Sequence, residues 1–362
     1  MEEWLKKVQN LLIELDIDGL ILTDYFNKRY FSGFTGTTGQ GLILKNKKYF
    51  YSDFRYVEQA TEQTAPYGFE FVKISKNGIE KIAEHIKENN VKRLGFDDAS
   101  MSYAQYKSLK KAFGDIEFVP ASDTMLELRK YKSKEEIECL RKAAQITDIA
   151  FKETIKIIKE GMTEREIAAY LEYIQRINGA DDKSFETIVA SGYRSSMPHG
   201  VASDKKIKKN ELITMDFGCY YKGYASDMTR TVFFGDEIPE EQKKLYDLVY
   251  AGQSLGIEMI KPGVIGKDVD QAVRDYFDAN GEMAKYFGHS LGHSFGLEVH
   301  EPPYCSQIGN EALKPTMVMT VEPGLYLEGK YGVRIEDDLL VTEDGYEQLT
   351  KSPRELIMIK PE

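Results

Sequence analysis

Apolar and polar residues in the first third of the chain follow two periods. Residues 2–15 carry apolar side chains three and four positions apart, a spacing that predicts a helix. The run GLILT (19–23) is typical of a buried strand, and residues 41–52 have the pattern of a hairpin around Asn46–Lys47. Further segments follow as helices 55–64, 78–89 and 101–113 and strands 69–74, 91–96 and 116–119. Such alternation favours an α/β layer with a mixed or parallel sheet.

A different pattern begins near residue 130. Residues 130–161 keep a helical apolar spacing, Ser133 and Glu136 form a capping-box pattern, and Gly161 supplies a stop, so the segment predicts one long helix. We expect this helix to open a second domain, which divides the chain into 1–128 and 129–362.

The second domain combines long strands with helices. Residues 211–235 read as two strands around a turn near 221–223. The remaining predicted elements are helices over 239–260 and 266–280 and strands over 316–327 and 332–342.

Charge and cysteine content narrow the function classes. Lys and Arg number 48 against 59 Asp and Glu, a net charge of −11, and nucleic acid is therefore not an expected partner. Three cysteines are too few for a disulfide framework and indicate a reducing compartment. Without an apolar signal core at the N-terminus or a run of ~18 apolar residues, we expect a cytoplasmic protein with no membrane partner.

Histidines are concentrated in the second domain, which holds four of the five in the chain. His289, His293 and His300 all lie within GHSLGHSFGLEVHE (288–301), and His199 lies in a PHG motif. Structural histidines in a glycine-rich loop are one reading. Imidazoles packed together repel on protonation, however, which favours a metal or a substrate among them.

Four carboxylates interrupt apolar runs of the same domain: Asp216, Asp227, Glu322 and Glu336. Burying unpaired carboxylates costs several kcal/mol each, and a divalent cation between them removes that cost. Four acids with one imidazole suit Mn, Co, Zn or Fe in a two-metal site. For Asp337 and Asp338 a salt bridge or a cap is the simpler reading.

Five ordered motifs give this pattern a family resemblance. FETIVASGYRSSMPHG, TMDFGCYYKGYASDMTRT, HSLGHSFGLEVHE, TVEPGLY and GVRIEDDLLVTEDG resemble the catalytic domain of the Xaa-Pro aminopeptidase/prolidase family. The resemblance covers roughly 133–358, and FSGFTGTTGQG and SDFRYVEQA are similar to the N-terminal domain of the same proteins. It implies an α/β (α+β) fold class, with a creatinase-like N-terminal α/β domain followed by a pita-bread catalytic domain.

The family motifs assign roles to individual residues. The resemblance implies five ligands for two divalent metal ions per subunit: Asp216, Asp227, His293, Glu322 and Glu336. It implies catalytic roles for His199, His300 and Glu322, and substrate-binding roles for His289 and Arg334. Manganese is the expected metal, with cobalt and zinc as alternatives, and the expected partners are proline-containing peptides and a second copy of the chain in a homodimer.

The exact peptidase activity depends on recognition of a free carboxylate. Prolidases of the family use an arginine in the loop after the VHE motif, and a guanidinium pairs a carboxylate bidentately. The corresponding loop here, 301–313, contains neither Arg nor Lys. We therefore expect an Xaa-Pro aminopeptidase, with an Xaa-Pro dipeptidase as the alternative. Arg55 is a candidate substitute from a partner subunit, or else forms a surface salt bridge.

Other classes of function leave weaker signals. A metal-free binding protein on the same fold would lack the ligands, and a methionine aminopeptidase is usually a single domain. GHSLG and GHSFG match a nucleophile elbow at Ser290 or Ser294, but they lack the strand-then-helix context. The glycine-rich stretch 33–41 resembles a phosphate loop, yet it precedes a predicted strand and is better explained by turns.

Overall fold

The computed structural model describes residues 2–75 and 78–361, and side chains from Lys6 onward. The chain forms two compact units, an N-terminal unit, Met1–Arg129, and a C-terminal unit, Lys130–Glu362. The predicted α/β class is confirmed. Within the described residues, no helix combines the length and the apolar character that a membrane crossing requires.

The N-terminal unit is a six-stranded sheet with helices on its faces. Its strands are β1 (Gly19–Leu22), β2 (Gln40–Leu44), β3 (Lys48–Ser52), β4 (Glu70–Lys73), β5 (Arg93–Phe96) and β6 (Glu117–Pro120). Its helices are α1 (Glu2–Glu14), α2 (Tyr25–Ser32), α3 (Val57–Thr64), α4 (Gly78–Glu88), α5 (Tyr103–Phe113) and α6 (Ser122–Lys130).

The strand order of this sheet is β4-β3-β2-β1-β5-β6. Strand β2 is antiparallel to both of its neighbours, β1 and β3, and forms the predicted hairpin with β3. The pairings β1–β5, β3–β4 and β5–β6 are parallel. The central strand β1 is buried at every residue, as its continuous apolar run predicts. The carboxyl ends of five strands therefore meet at one edge of the sheet.

In its described residues, the C-terminal unit has four α-helices and several small sheets. Its helices are α7 (Lys134–Thr154), α8 (Glu164–Ile177), α9 (Glu240–Met259) and α10 (Gly266–Ala279). The first eight strands are β7 (Asp182–Lys183), β8 (Ile188–Ser191), β9 (Glu211–Phe217), β10 (Cys219–Tyr221), β11 (Tyr224–Ala225), β12 (Met228–Phe234), β13 (Gly292–Ser294) and β14 (Glu301–Cys305). The last six are β15 (Val318–Val321), β16 (Gly324–Leu327), β17 (Tyr331–Arg334), β18 (Asp337–Val341), β19 (Tyr346–Gln348) and β20 (Met358–Ile359).

Two pairs of helices pack on these sheets, and each pair forms its own hydrophobic core. Helices α7 and α8 pack on the sheet β20-β12-β9-β8 through residues such as Phe151 and Leu171. Helices α9 and α10 pack on β15 to β18 through residues such as Val249 and Val273. The long strands β9 and β12 are buried along nearly their whole length, so polar side chains among them need internal partners.

The predicted helix over 130–161 is too long at its C-terminal end. Its capping box at Ser133 is present, but the helix ends at Thr154. Beyond that point the Gly161 N–H donates to the Ile207 carbonyl, and the Ile207 N–H donates to the Met162 carbonyl. Because these backbone groups bond to a segment that is distant in sequence, they are not available for the hydrogen bonds of a longer helix.

The predicted strands over 316–327 and 332–342 are each broken into two. Strand β15 pairs with β18 in one sheet, and β16 pairs with β17 in another. Each of the two predicted strands therefore passes from one sheet to the other. The breaks fall at Glu322–Pro323 and at Ile335–Glu336. Both acids that interrupt the apolar runs thus lie where the backbone leaves the ladder.

Candidate metal centre and active site

One cavity of the C-terminal unit, about 460 Å³ in volume, is lined by all nine residues that the family resemblance assigns to the site. Its wall contains Asp216, Asp227, His199, His289, His293, His300, Glu322, Arg334 and Glu336. It also contains Phe185, Ile188, Pro198, Val201 and Tyr304, which form an apolar side that the sequence analysis did not nominate.

Asp216 and Asp227 reach the cavity from the β9–β12 hairpin. Asp216 lies opposite Thr229 in the ladder, and Asp227 lies two residues before Thr229. The two aspartates are therefore diagonal neighbours and not direct cross-strand partners. Residues two apart on a strand share a face, so both carboxylates still point to the same side.

His293 presents its outer ring nitrogen to two of the acids. Its Nδ1 lies 3.1 Å from the Ser294 carbonyl, which can only accept, so Nδ1 carries the proton. Nε2 is then a bare lone pair, 3.4 Å from Glu322 Oε1 and 3.7 Å from Asp227 Oδ2. Burial, and secondarily the nearby His300 ring, lowers the pKa of His293 to about 3, which keeps the imidazole neutral.

Two carboxylate oxygens of the cavity lack a donor among the described residues. Asp216 Oδ1 and Glu336 Oε1 are buried and have no hydrogen-bond partner in the described part of the chain. Burial, then the neighbouring carboxylates, raises the pKa of Asp227 well above its usual range, and burial and Asp216 raise the pKa of Glu336 to about 8. One ligand atom each from Asp227, His293 and Glu336 lies within 4.8 Å of the others.

This donor set fits divalent cations. Carboxylate oxygens without a hydrogen-bond partner and an imidazole lone pair are atom types that bind a metal such as Mn, Co or Zn. Four acids and one imidazole exceed what one tetrahedral ion takes up. The arrangement is suited to a pair of ions bridged by carboxylates.

Arg334 connects the acids to the substrate side of the cavity. Its Nη2 donates to Asp216 Oδ2, and its Nη1 donates to the Tyr326 hydroxyl at 2.7 Å and to the Pro198 carbonyl at 3.1 Å. Its Nε donates to Thr229 Oγ1 at 3.0 Å. The guanidinium is thus engaged on all three nitrogens, and the contact with substrate predicted for it stays a prediction.

His289 is held in one tautomer by the same network. Its Nδ1 donates to the Ser290 carbonyl at 2.8 Å, which leaves Nε2 to accept from the Tyr326 hydroxyl at 2.9 Å. Burial, then the positive charge of Arg334, lowers the pKa of His289 to about 4. Sequence reasoning missed Tyr326, although it belongs to the TVEPGLY motif.

His199 and His300 lie at the exposed side of the cavity. The His300 ring lies edge-on to His293, with ring centroids 4.4 Å apart. Burial lowers the pKa of His300, and the charge of Asp216 opposes that shift. Both histidines line the cavity. Among the described residues neither forms a salt bridge with the carboxylates, whereas His293 contacts two of them.

The segment that carries His199 is held by a buried acid that sequence reasoning missed. Glu164, with none of its surface exposed, accepts from the N–H and the hydroxyl of Ser191, from the N–H and the hydroxyl of Ser203, and from Arg194. One carboxylate thus ties together both ends of residues 191–203. In the sequence Glu164 is only the first acid of a helix, and no local signal sets it apart.

Asp337 and Asp338 have the structural roles that the sequence allowed. Asp337 pairs with Arg230 at 2.6 Å, and Asp338 Oδ2 accepts the Asp227 N–H at 2.9 Å. Ser294 lies inside β13, which leads into β14. The strand-then-helix context of a nucleophile elbow is therefore not present at GHSFG.

Comparison with known families agrees with this geometry. Residues 138–343 match "Metallopeptidase family M24", and residues 5–131 match "Creatinase/Prolidase N-terminal domain". Together the two matches account for most of the chain, in the order that the sequence motifs predict.

Individual relatives are similar over their whole length. The chain is 39% identical to an Xaa-Pro dipeptidase of Pyrococcus furiosus, over 99% of this chain and 100% of the relative. Among solved structures, an Xaa-Pro dipeptidase from Bacillus anthracis superposes with a TM-score of 0.94 at 44% identity, covering 99% of both chains. An X-Pro aminopeptidase from Thermotoga maritima superposes with a TM-score of 0.91 at 38% identity, covering 98% of this chain and 99% of the other.

The predicted family is thereby confirmed, and with it the prediction of a metal-dependent peptidase. The chain belongs to metallopeptidase family M24, with a creatinase/prolidase N-terminal domain ahead of the peptidase domain.

Proposed function

We propose that this protein is an Xaa-Pro dipeptidase that uses two divalent metal ions. The observation that carries the proposal is a cluster of three buried acids, the half-buried Glu322 and one neutral imidazole. Two carboxylate oxygens of this cluster have no partner in the described residues. The names of the relatives from Pyrococcus furiosus and Bacillus anthracis support dipeptide substrates. They favour the alternative of the sequence analysis over the aminopeptidase that it expected first.

Five residues would hold the metals: Asp216, Asp227, His293, Glu322 and Glu336. When bound, the ions supply an activated water and a Lewis acid for the scissile carbonyl. We infer manganese as the preferred metal, because oxygen-rich donor sets suit it, with cobalt or zinc as alternatives. We also infer that 129–362 is the catalytic domain and 1–128 the smaller partner domain.

The remaining residues would act on the substrate. His199 and His300, on the exposed side of the cavity, would donate N–H groups to the carbonyl oxygen as charge develops there. A carboxyl oxygen of Glu322 would hold the proton that the leaving proline nitrogen receives. Tyr326 would keep His289 and Arg334 in place between the substrate and Asp216.

A dipeptidase has to bind the free carboxylate of its substrate, and the loop 301–313 offers no arginine for this. Within the described residues of the cavity wall, Arg334 is the one guanidinium, and all three of its nitrogens are engaged. A free substrate carboxylate would thus be met by imidazole N–H groups, such as that of His199, which is exposed. This makes the aminopeptidase a second candidate, and the relative from Thermotoga maritima supports it.

We further infer a cytoplasmic homodimer. The cytoplasmic location is supported by the three cysteines, which form no disulfide among the described residues and suit a reducing compartment. The dimer is supported by the family resemblance.

The first experiment tests for the metal-dependent peptidase. Hydrolysis of an Xaa-Pro dipeptide should stop after treatment with a chelator and should return with manganese. Elemental analysis should find two ions per chain, and Asp227→Asn should lower both metal content and turnover, whereas Asp344→Asn, at an exposed loop position, should change neither. No hydrolysis with any divalent cation would favour a binding protein.

The second experiment separates the two peptidases. A dipeptidase should have a much larger kcat/KM for an Xaa-Pro dipeptide than for an Xaa-Pro-Xaa tripeptide. His199→Asn should reduce that preference if the imidazole meets the carboxylate. Equal kcat/KM values for the two substrates would favour the aminopeptidase.

A further inference from the structure

The N-terminal unit has a cleft of its own, about 1060 Å³ in volume. Thr23 follows β1, Ser52 ends β3, and Ile74 follows β4, and all three line it. Because these strands are parallel to one another, the cleft lies at the carboxyl edge of the sheet. That edge is where open α/β sheets bind their ligands.

The glycine-rich segment that the sequence analysis set aside lies along this cleft. Thr37, Thr38 and Gly39 line it, and the Ser52 hydroxyl donates to the Thr38 carbonyl at 2.6 Å. A Cβ on Gly39 would lie 2.7 Å from the Phe50 ring, so the glycine allows the segment to approach β3 closely. The segment thus forms a fixed wall of the cleft.

A buried amine gives the cleft its chemistry. Lys28, on α2, lines the cleft with only 4% of its surface exposed. In the described part of the chain its ammonium has no hydrogen bond, and the one charge that favours it is that of Asp24. The Asp24 carboxylate already accepts the Asn27 N–H at 2.6 Å. Burial lowers the pKa of Lys28, as expected for an ammonium without a close counter-ion.

The other charges of the cleft cancel each other. Arg55 donates through Nε and Nη2 to both carboxylate oxygens of Asp53, at 3.0 and 2.7 Å. Of the cleft residues that the structure describes, Lys28 is therefore the cation that lacks a paired acid. A buried ammonium left in this state costs free energy that an anionic ligand would recover.

From these observations we propose that the cleft of the N-terminal unit binds a small molecule through an oxyanion group, a carboxylate or a phosphate, with Lys28 as its counter-ion. Thr23, Thr38 and Ser108 line the same cleft, and their hydroxyl groups would add donors for the oxyanion oxygens. All residues that line the cleft belong to the N-terminal unit, and the proposal does not depend on the proposed peptidase function.

Calorimetric titration of the full-length, metal-loaded protein, freed of excess metal, tests the proposal. One arm uses inorganic phosphate and the other acetate, at constant ionic strength. Anion binding at the metal centre is common to all variants, so the comparison is between the wild type, Lys28→Met and the control Lys47→Met, which changes an exposed lysine of the same unit. Lys28→Met should lose one binding event per chain or weaken it at least tenfold, and Lys47→Met should match the wild type.

The two arms identify the source of the oxyanion. Loss of phosphate binding alone indicates a phosphate-bearing ligand, and loss of acetate binding alone a carboxylate. Isotherms that are the same for the wild type and Lys28→Met with both anions would overturn the proposal. Dipeptide hydrolysis should remain at the wild-type rate in both variants, which checks that they are folded.

A measurement on the wild type alone covers the case in which Lys28→Met does not fold. An N-hydroxysuccinimide ester labels accessible amines, and peptide mapping gives the rate at each lysine. Saturating phosphate or acetate should slow the labelling of Lys28 at least fivefold and leave Lys47 unchanged. Equal labelling of Lys28 with and without both anions would count against the site.

Discussion

Glu164 and Glu336 are both buried carboxylates of the C-terminal unit, with 0% and 1% of their surfaces exposed, and they differ in what surrounds them. Glu164 accepts five hydrogen bonds, one of them from the Arg194 guanidinium. Glu336 accepts one, from the Thr229 hydroxyl, and its Oε1 has no partner among the described residues. Burial alone therefore does not identify a functional acid.

The difference between the two acids is one of compensation. A buried charge that is fully hydrogen-bonded stabilises the conformation around it. A buried charge without hydrogen-bond partners costs free energy that a bound ligand can recover. Glu164 shapes the segment that carries His199, and Glu336 faces other acids across a cavity. The two roles predict opposite responses to mutation.

The largest effect is expected for Glu336→Gln. The amide keeps the shape of the side chain but removes the carboxylate that we propose as a metal ligand. Turnover should therefore fall by roughly three orders of magnitude or more, beyond the loss of one oxyanion donor. The metal content measured by elemental analysis should fall with it. The exposed Glu343→Gln serves as the control, and full metal content in Glu336→Gln would remove Glu336 from the ligand set.

Glu164→Ala should act on stability instead. It leaves the buried Ser191 N–H and the half-buried Arg194 guanidinium and Ser203 N–H without their acceptor. The free energy of unfolding should therefore fall by about 3–5 kcal/mol. Urea denaturation measures this loss, with the exposed Glu160→Ala as the control. Metal content per folded chain should remain that of the wild type. A loss of metal equal to that in Glu336→Gln would erase the distinction between the two acids.

His300→Ala tests whether the cavity wall separates ligands from substrate contacts. Turnover should fall by about two to three orders of magnitude, the scale of one lost oxyanion donor, at unchanged metal content. Steady-state kinetics with elemental analysis on the same sample decides this, and His85→Ala in the other unit should behave as the wild type. Parallel loss of metal and activity would place His300 among the ligands.

The contribution of Glu336 alone to the pH dependence of stability is the smallest of these effects. The folded-state pKa of Glu336 is raised to about 8 from 4.5, by burial and then by Asp216. In the metal-free protein, the stabilisation that Glu336 contributes is therefore fully present below its unfolded pKa of 4.5. It is lost as pH rises toward 8, by about 1.4 kcal/mol per pH unit. The window from pH 6.5 to 8 is the informative one, since the buried histidines titrate below it.

Urea denaturation in the presence of a chelator measures that slope. Asp227 and Glu322 have pKa shifts of the same sign and should add to it. Metal-saturated protein should show a flat profile over the same window, and Glu336→Gln without metal should show a shallower one. A metal-free profile as flat as the metal-saturated one would mean that the acids are compensated in some other way.

Local sequence patterns were sufficient for much of the fold. The continuous apolar run of β1, the hairpin of β2 and β3 and the capping box at Ser133 all depend on residues within a few positions of one another. The prediction failed where distant backbone intervened, as at Thr154, where Gly161 and Met162 bond to Ile207 instead of continuing the helix. It failed again at the breaks after β15 and β17, where two strands change sheets together.

The sequence by itself determined which side chains are available for the candidate site. Acids inside apolar runs and histidines in glycine-rich motifs are anomalies of composition, and they can be seen without coordinates. It did not determine which acids have partners, because Glu164 and its donors at Ser191 and Ser203 are far apart along the chain. Only the tertiary structure brings donors to one acid and withholds them from another, since hydrogen bonding acts over about 3 Å in space whatever the separation in sequence.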